Sequence, residues 1–378
     1  MDAPDTALHG QNTPITGWLY IAFELGDKSW KLSLGDGVHG PSRHTLAASD
    51  LNAVLQAIAK AKARFALPPQ APVRSCYEAG RDGFWLHRWL AEQGIHNLVV
   101  DSASIEVNRR ARHAKSDRLD CDKLLSMLMR YHAGERRVWA VARVPTEEQE
   151  DERRLHRELG RLKQERTAHS NRVRSLLVLH NLRVAHIGDR SWKQWWNAHG
   201  SQLPAGLGAE VEREVMRLAL VKAQIKTIEA QQCKAVKAGT QPAIALLARL
   251  SGIGVGSSWL LVKELFGWRR FHNRREVAGC LGLAPTPYSS GESEVEQGIS
   301  KAGNKRARSL MIELAWGWLR HQPTSQLTQW FNARFAPGSK RTRRVGIVAL
   351  ARRLAIALWR YLEDGEIPTG ANLKPVAT

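Results

Sequence analysis

Leu155, Leu159, Leu162, Arg166, His169, Val173 and Leu176 follow one another at spacings of 4, 3, 4, 3, 4 and 3. A repeat averaging 3.5 residues keeps one stripe of an α-helix turned toward one neighbour, so this stretch is a long helix packed lengthwise on another surface. A second stripe runs through Val211, Val215, Leu218, Val221 or Lys222, Ile225 and Ile228. Between the two lies a break containing Trp192, Trp195, Trp196 and Pro204. Two seams either side of a break predict an antiparallel helical hairpin, an intermolecular coiled coil, or two helices laid on a neighbouring domain. Arg166 and His169 interrupt the apolar seam, as residues that set register or choose a partner do, or else they lie at its edge.

The hairpin segment spans 146–240 and divides the chain. Upstream, GWLYIAFEL (17–25) and KSWKLSLGDG (28–37) read as two strands, with Trp30, Leu32 and Leu34 alternating with polar residues. A helix is predicted over 48–66 with Ser49 or Asp50 as its cap. A strand at 72–80, a helix at 84–94, a strand at 96–104, a helix carrying KSDRLDCDK (115–123) and a last strand at 136–144 complete the pattern. A hairpin followed by alternating helix and strand makes 17–145 an α/β domain. Residues 1–16 read as a polar, acidic leader that does not fit a secretory signal.

Downstream, 241–378 begins with two apolar helices flanking Gly252-Ile253-Gly254-Val255-Gly256. This resembles a helix-hairpin-helix, in which glycines let backbone amides approach a phosphate. Next comes GLAPTPYSSGESEVEQGISKAGNKRARSL (282–310), read as a polar loop with adjacent Ser289 and Ser290. The loop runs into Lys301, Lys305, Arg306 and Arg308 at the head of a helix. SKRTRR (339–344), with Lys340, Arg341, Arg343 and Arg344, precedes a final amphipathic helix.

The 378 residues carry 56 Lys and Arg against 36 Asp and Glu, a formal charge of +20. Such an excess suits a polyanionic partner, most simply nucleic acid, whose counterions basic side chains displace. No apolar run reaches the roughly 18 residues of a membrane span, because Arg352 and Arg353 interrupt the longest one. Four dispersed cysteines without a CxxC pair argue against a disulfide framework or zinc ribbon and suit a reducing cytoplasm.

Against that charge, KSDRLDCDK concentrates three aspartates in nine residues. Asp117 and Asp120 share a helix face, whereas Asp122 points elsewhere. Glu24 ends the first strand and Glu78 the strand RSCYE, where α/β sheets place functional groups. Four converging carboxylates supply the oxygen ligands that two Mg²⁺ ions take, and such a pair serves phosphodiester chemistry. Arg109, Arg110, Arg112, His113 and Lys115 lead into the same helix and are placed to hold a nucleic-acid backbone near it.

The order Glu24, Glu78, KSDRLD (115–120), long helical segment, then GLAPTPYSSG with GISKAGNKRAR resembles the DEDD-motif insertion-sequence transposases over about 17–335. The resemblance implies a RuvC-like, ribonuclease-H-fold N-terminal domain, a coiled-coil segment and a mostly α C-terminal transposase domain. It implies an RNA-guided recombinase in which Glu24, Glu78, Asp117 and Asp120 hold Mg²⁺. On the same resemblance a serine in the loop, Ser290 or its neighbour Ser289, with Ser293 and Tyr288 as outsiders, attacks DNA to form a phosphoserine link. It further implies a structured noncoding guide (bridge) RNA, donor and target DNA, and a homodimer or tetramer whose site forms in cis or in trans. One position departs from the family pattern: the first acid there is normally Asp, and this chain has Glu24. Asp27 is a fallback ligand. A hydrolytic junction-resolving nuclease and a catalytically decayed nucleic-acid-binding protein remain the alternatives.

Overall fold

The computed structural model describes residues 17–105, 117–290 and 293–375, with the side chains of 103, 117–119, 287–290 and 293–297 left aside. Arg109, Arg110, Arg112 and Lys115 therefore lie outside the described residues. The chain divides into two compact units, Met1–Pro145 and Thr146–Thr378.

The first unit is built on a five-stranded sheet. Its strands are β1 (Leu19–Leu25), β2 (Ser29–Gly35), β3 (Ser42–Ala47), β4 (Val73–Glu78) and β5 (His96–Val100), in the order β3-β2-β1-β4-β5. β1, β2 and β3 pair antiparallel, while β1–β4 and β4–β5 pair parallel, giving the ribonuclease-H-like arrangement. The alternation along each strand sends residues to two different cores. Leu19, Ile21, Phe23, Trp30, Leu32 and Tyr77 pack together on one face, the face that also buries Val54, Ala57, Ile58 and Ala61 of α1 (Leu51–Arg64) and Leu86 and Leu90 of α2 (Trp85–Glu92). Ala22, Cys76 and Val100 point the other way, onto Cys121, Leu124, Leu125 and Leu128 of α3 (Asp117–His132). Asp50 caps α1 by accepting the Ala53 amide at 2.9 Å, and β3 is a strand that the sequence pattern had not separated.

The strand expected over 136–144 does not form. Val138 and Trp139 are instead buried in the cluster with Cys121, Leu124 and Leu128 of α3. Only Val141 bridges to Val100, with the Asp101 amide donating to Ala140 O (2.9 Å) and the Ala142 amide to Val99 O (2.8 Å).

The second unit opens with a capping box, Thr146 with Gln149, on α4 (Glu147–Asp151). α5 (Arg154–Val178) and α7 (Ala205–Lys237) then run antiparallel within one chain, joined through α6 (Arg190–His199). The direction follows from pairs such as Lys163–Glu229 (2.8 Å) and His169–Glu214 (2.6 Å). Within the chain the two seams thus face each other as a helical hairpin. Val221 takes the seam position, while Lys222 reaches the Ile187 carbonyl at 2.6 Å. Arg166 is exposed rather than on the seam.

The remaining elements share one core built on Trp318, Phe331, Leu350, Leu354 and their neighbours. They are α8 (Pro242–Ala248), α9 (Val255–Leu261) continued by one π-helical turn (Val262–Phe266), α10 (Arg274–Leu281), α11 (Lys305–His321), α12 (Gln326–Phe335) and α13 (Lys340–Glu363). Gly252 turns between α8 and α9 with φ +87°, and a Cβ there would press on His321. The stretch read as a polar loop is a β-hairpin. β6 (Pro285–Ser290) pairs antiparallel with β7 (Ser293–Ile299), in register Ser289↔Glu294 and Ser290↔Ser293.

Candidate active site

Glu24 and Glu78 lie at the C-terminal ends of adjacent parallel strands. Phe23 pairs with Tyr77, so the next residues, Glu24 and Glu78, stand side by side, about 4.8 Å apart as strands are. Both continue the face of Ala22 and Cys76, the face covered by α3. Glu24 is half-buried and Glu78 exposed. With Asp27, Arg81 and Asp82 they line a cleft of about 450 Å³. Arg81 forms ion pairs with the fallback ligand Asp27 and, at 3.9 Å, with Asp82, the Arg81 and Asp27 side chains both being largely exposed.

α3 is held over this end of the sheet by Cys121, whose thiol donates to Ala22 O (3.2 Å) and Lys31 O (3.4 Å). Burial foremost pushes that thiol up to about 12, with the charges of Glu24 and Asp122 adding to it. At the other end of the helix, the His132 ring lies 6.1 Å from that of Tyr20. Advancing along α3 thus runs back along β1, and the first turn, with Asp117 and Asp120, is at the end nearer Glu24. Asp122 faces away: it accepts from Ser33 Oγ at 2.5 Å and pairs with Arg43 at 2.9 Å.

Two neighbouring carboxylates facing an open cleft are a donor set for a hard divalent cation, and the helix N-terminus above them favours negative charge. Among the described residues no group of three or more His, Cys, Asp or Glu side chains is arranged to hold a metal; the Asp117 side chain is not among them.

Ser290 is the last residue of β6 and Ser289 precedes it. The hairpin is anchored by backbone: Ser300 N donates to Ala284 O (2.9 Å) and Asn304 N to Cys280 O (2.8 Å). Lys301, Lys305 and Arg306 are exposed at the head of α11. Arg308 is half-buried and donates to the Leu281 carbonyl at 3.1 Å, so part of its guanidinium is used in holding α10 to α11. Lys340, Arg341, Arg343 and Arg344 are exposed on the first turns of α13. Cations at helix N-termini oppose the macrodipole, and neither α11 nor α13 has an acid in its first turn to offset this. Both helix heads therefore set positive charge against the positive end of a helix dipole.

Sequence reasoning missed a buried network behind α11. Glu264, in the π-helical turn, is 2 % exposed. It accepts from His156 Nε2 (2.9 Å), Arg157 Nε (2.7 Å) and Nη2 (2.9 Å), and Asn304 Nδ2 (3.2 Å). Burial pushes the Glu264 carboxyl up, but these hydrogen bonds and charges outweigh it and hold the group well below the usual carboxylate range. Asn304 in turn caps α11 by accepting the Ala307 amide at 3.0 Å. The available signal was a lone acid in the apolar run SSWLLVKELF.

Residues 244–329, which contain the Gly252–Gly256 turn, both serines and the basic head of α11, match the family described as "Transposase IS116/IS110/IS902 family". Over 378 aligned residues the chain is 40% identical to "Putative transposase y4rJ" of Sinorhizobium fredii, covering 95% of each protein. The chain belongs to the IS116/IS110/IS902 transposase family. It is also 28% identical over 233 residues to "Transposase for insertion sequence element IS1111A" of Coxiella burnetii, covering 58% of this chain and 61% of that one. The protein is thus an enzyme of the IS110 transposase and recombinase class, acting on DNA. No helix among the described residues is long and apolar enough to cross a membrane.

Proposed function

We propose that this IS110-family transposase is an RNA-guided recombinase that moves its own insertion sequence through a covalent phosphoserine link. The observation that carries the proposal is the pairing of Glu24 and Glu78 at the ends of β1 and β4, under the helix that begins with Asp117 and carries Asp120. In this proposal the four carboxylates hold one or two Mg²⁺ ions. Bound there, the metal would stabilise negative charge on the attacking and leaving oxygens at phosphorus. Ser290, or Ser289 beside it, is the nucleophile: its Oγ–P bond forms while the P–O bond to the departing strand breaks. The hydroxyl proton passes to a basic group and the leaving oxygen takes up a proton. Because the phosphodiester energy is kept in the serine link, strands are rejoined without ATP. Lys301, Lys305, Arg306 and Lys340 to Arg344 hold phosphates during this exchange, as Arg109, Arg110, Arg112 and Lys115 do ahead of α3. A structured guide RNA pairing with donor and target DNA supplies sequence choice, and a homodimer or tetramer supplies the pair of sites that two DNA ends need.

The test is to combine the protein with flanking DNA of its element, the transcribed noncoding RNA and Mg²⁺, and map any protein–DNA adduct by peptide mass spectrometry. An adduct on Ser290, lost in Ser290→Ala and in Asp120→Asn, is the expected result. An adduct on Ser289 would move the nucleophile by one residue. Cleavage without an adduct would instead establish a hydrolytic nuclease. Binding without cleavage would indicate a decayed site, and Glu24→Asp is then the variant expected to restore activity. Adduct formation unchanged by omitting the RNA would remove RNA guidance from the proposal.

A further inference from the structure

Five arginines that the sequence motifs did not nominate meet around a groove of about 800 Å³ in the second unit. Arg274 and Arg275 come from the first turn of α10, and Arg352, Arg353 and Arg360 from the middle and end of α13. Glu366 is the one acidic residue of its lining. Among the described residues no carboxylate lies within ion-pair distance of any of the five, although surface arginines elsewhere, such as Arg81 and Arg130, have found one. Arg353 stacks over Trp330 at 3.9 Å, which fixes its guanidinium in place. Burial, and the neighbouring charges of Arg352 and Arg334, push Arg353 below the ordinary arginine value.

Uncompensated cations this close repel one another, and two of them also sit against the unfavourable end of a helix dipole. Such a cluster is relieved by a bound polyanion. From Arg353 to Arg360 is seven residues of helix, roughly 11 Å at 1.5 Å per residue, which is about three phosphates of a strand spaced roughly 3.4 Å along the axis. Ala284 and Pro285, at the base of β6, form part of the same wall. Five residues further along that strand, about 17 Å at 3.3 Å per residue, stands Ser290.

We infer that the groove between α10 and α13, with Arg274, Arg275, Arg352, Arg353 and Arg360, is a binding site for the phosphate backbone of a nucleic-acid strand leading to the β6–β7 hairpin. The inference rests on the reading that the chain handles nucleic acid, and adds a site that neither the basic head of α11 nor that of α13 contains. Recognition is by charge and spacing, so the strand bound is chosen by backbone and not by base. DNA and RNA present the same phosphodiester chemistry here, and the assay separates them.

The full-length protein is titrated with a fluorescein-labelled single-stranded DNA, an RNA of the same sequence and a DNA duplex, each at several salt concentrations. The groove variant is Arg274→Gln/Arg275→Gln/Arg360→Gln, all three exposed side chains. Its salt slope on the strand that occupies the groove falls by about 2, that is roughly 0.7 per lost phosphate contact, with affinity reduced at least about tenfold near 0.15 M salt. Replacing the same three by lysine restores the slope, which a merely misfolded variant would not do. A control with the same charge change, Lys60→Gln/Arg161→Gln/Arg166→Gln, keeps the wild-type slope. An effect on RNA alone, or on DNA alone, identifies the strand. Equal losses in groove variant and control would overturn the inference, because net charge would then explain them. An unchanged slope on all three probes would overturn it while leaving the transposase reading intact. Absence of binding by the unsubstituted protein would overturn both.

Discussion

Glu264 shows how a single side chain can decide the placement of a functional element. It is one of few acids in the second unit removed from water, and it holds α5 through His156 and Arg157 and α11 through Asn304. Replacing it by Gln leaves Arg157 without its charged partner. Breaking a buried pair costs about 3–5 kcal/mol, and the low end applies because Arg157 keeps some solvent access. Glu264→Gln is therefore expected to lower the unfolding free energy by about 3 kcal/mol in urea denaturation, with α11 loosened. The pH dependence has a definite sign. The carboxyl is held below its ordinary value of 4.5 in the folded protein, so below about 4.5 the unfolded chain binds the extra proton. The stabilisation is complete above that value and is lost progressively as pH falls toward the depressed folded one. A wild-type curve that drops below pH 4.5, against a flatter curve for Glu264→Gln, is the expected comparison; parallel curves would place the acid sensitivity elsewhere.

Among elements, the α5–α7 hairpin separates core from surface most sharply. Leu218 is fully buried between the helices, whereas Met216, two residues earlier on the same helix, is 64% exposed. Leu218→Ala should cost about 2–5 kcal/mol through lost contacts and a residual cavity. Met216→Ala should stay within about 0.5 kcal/mol. Thermal unfolding of the two variants checks the pair, and similar losses from both would mean that the outer face of α7 is also covered. The hairpin also buries Glu214 at 3% exposure, where it receives His169, Arg172 and Arg217. That cluster accounts for a histidine on an otherwise apolar seam: it pins the register of two antiparallel helices whose leucines alone would tolerate sliding. At the β6–β7 element, Gly282 and Gly303 adopt φ +65° and +100°, and a Cβ on either would strike backbone of the other's segment. The base of the serine hairpin is thus fixed by close backbone packing.

On the scale of the whole molecule, each unit encloses its own cores. Phe23, Trp30 and Tyr77 lie in one of those of the first, and Trp318, Phe331 and Leu354 in one of those of the second. Separate cores predict separate folding units. A fragment of residues 146–378 is expected to retain helical circular dichroism and unfold cooperatively, and a broad, non-cooperative transition would show that it depends on the first unit. The charge of +20 belongs to this scale as well. It raises the encounter rate with any polyanion and makes binding steeply salt-dependent, while the groove arginines and the helix heads decide where the polyanion rests.

Much of this protein is legible in its amino-acid sequence because the signals are local. Period two in β1 and β2, period 3.5 in α5 and α7, Asp50 before α1 and the Gly252 turn each depend on a few neighbouring residues. The acids at strand ends and the paired serines were nominated by the same kind of local reading, joined to a family resemblance. What the sequence left open needed contacts distant along the chain. Which surface the heptads face was decided by Glu214 and Glu229, and residues 136–144 make a single bridge at Val141, with Val138 and Trp139 packed in the core beside α3. Arg274 and Arg360 became one groove only when α10 and α13 packed together. Side chains many residues apart carry no mutual signal in sequence, and the free energy that brings them together is that of the core beneath them.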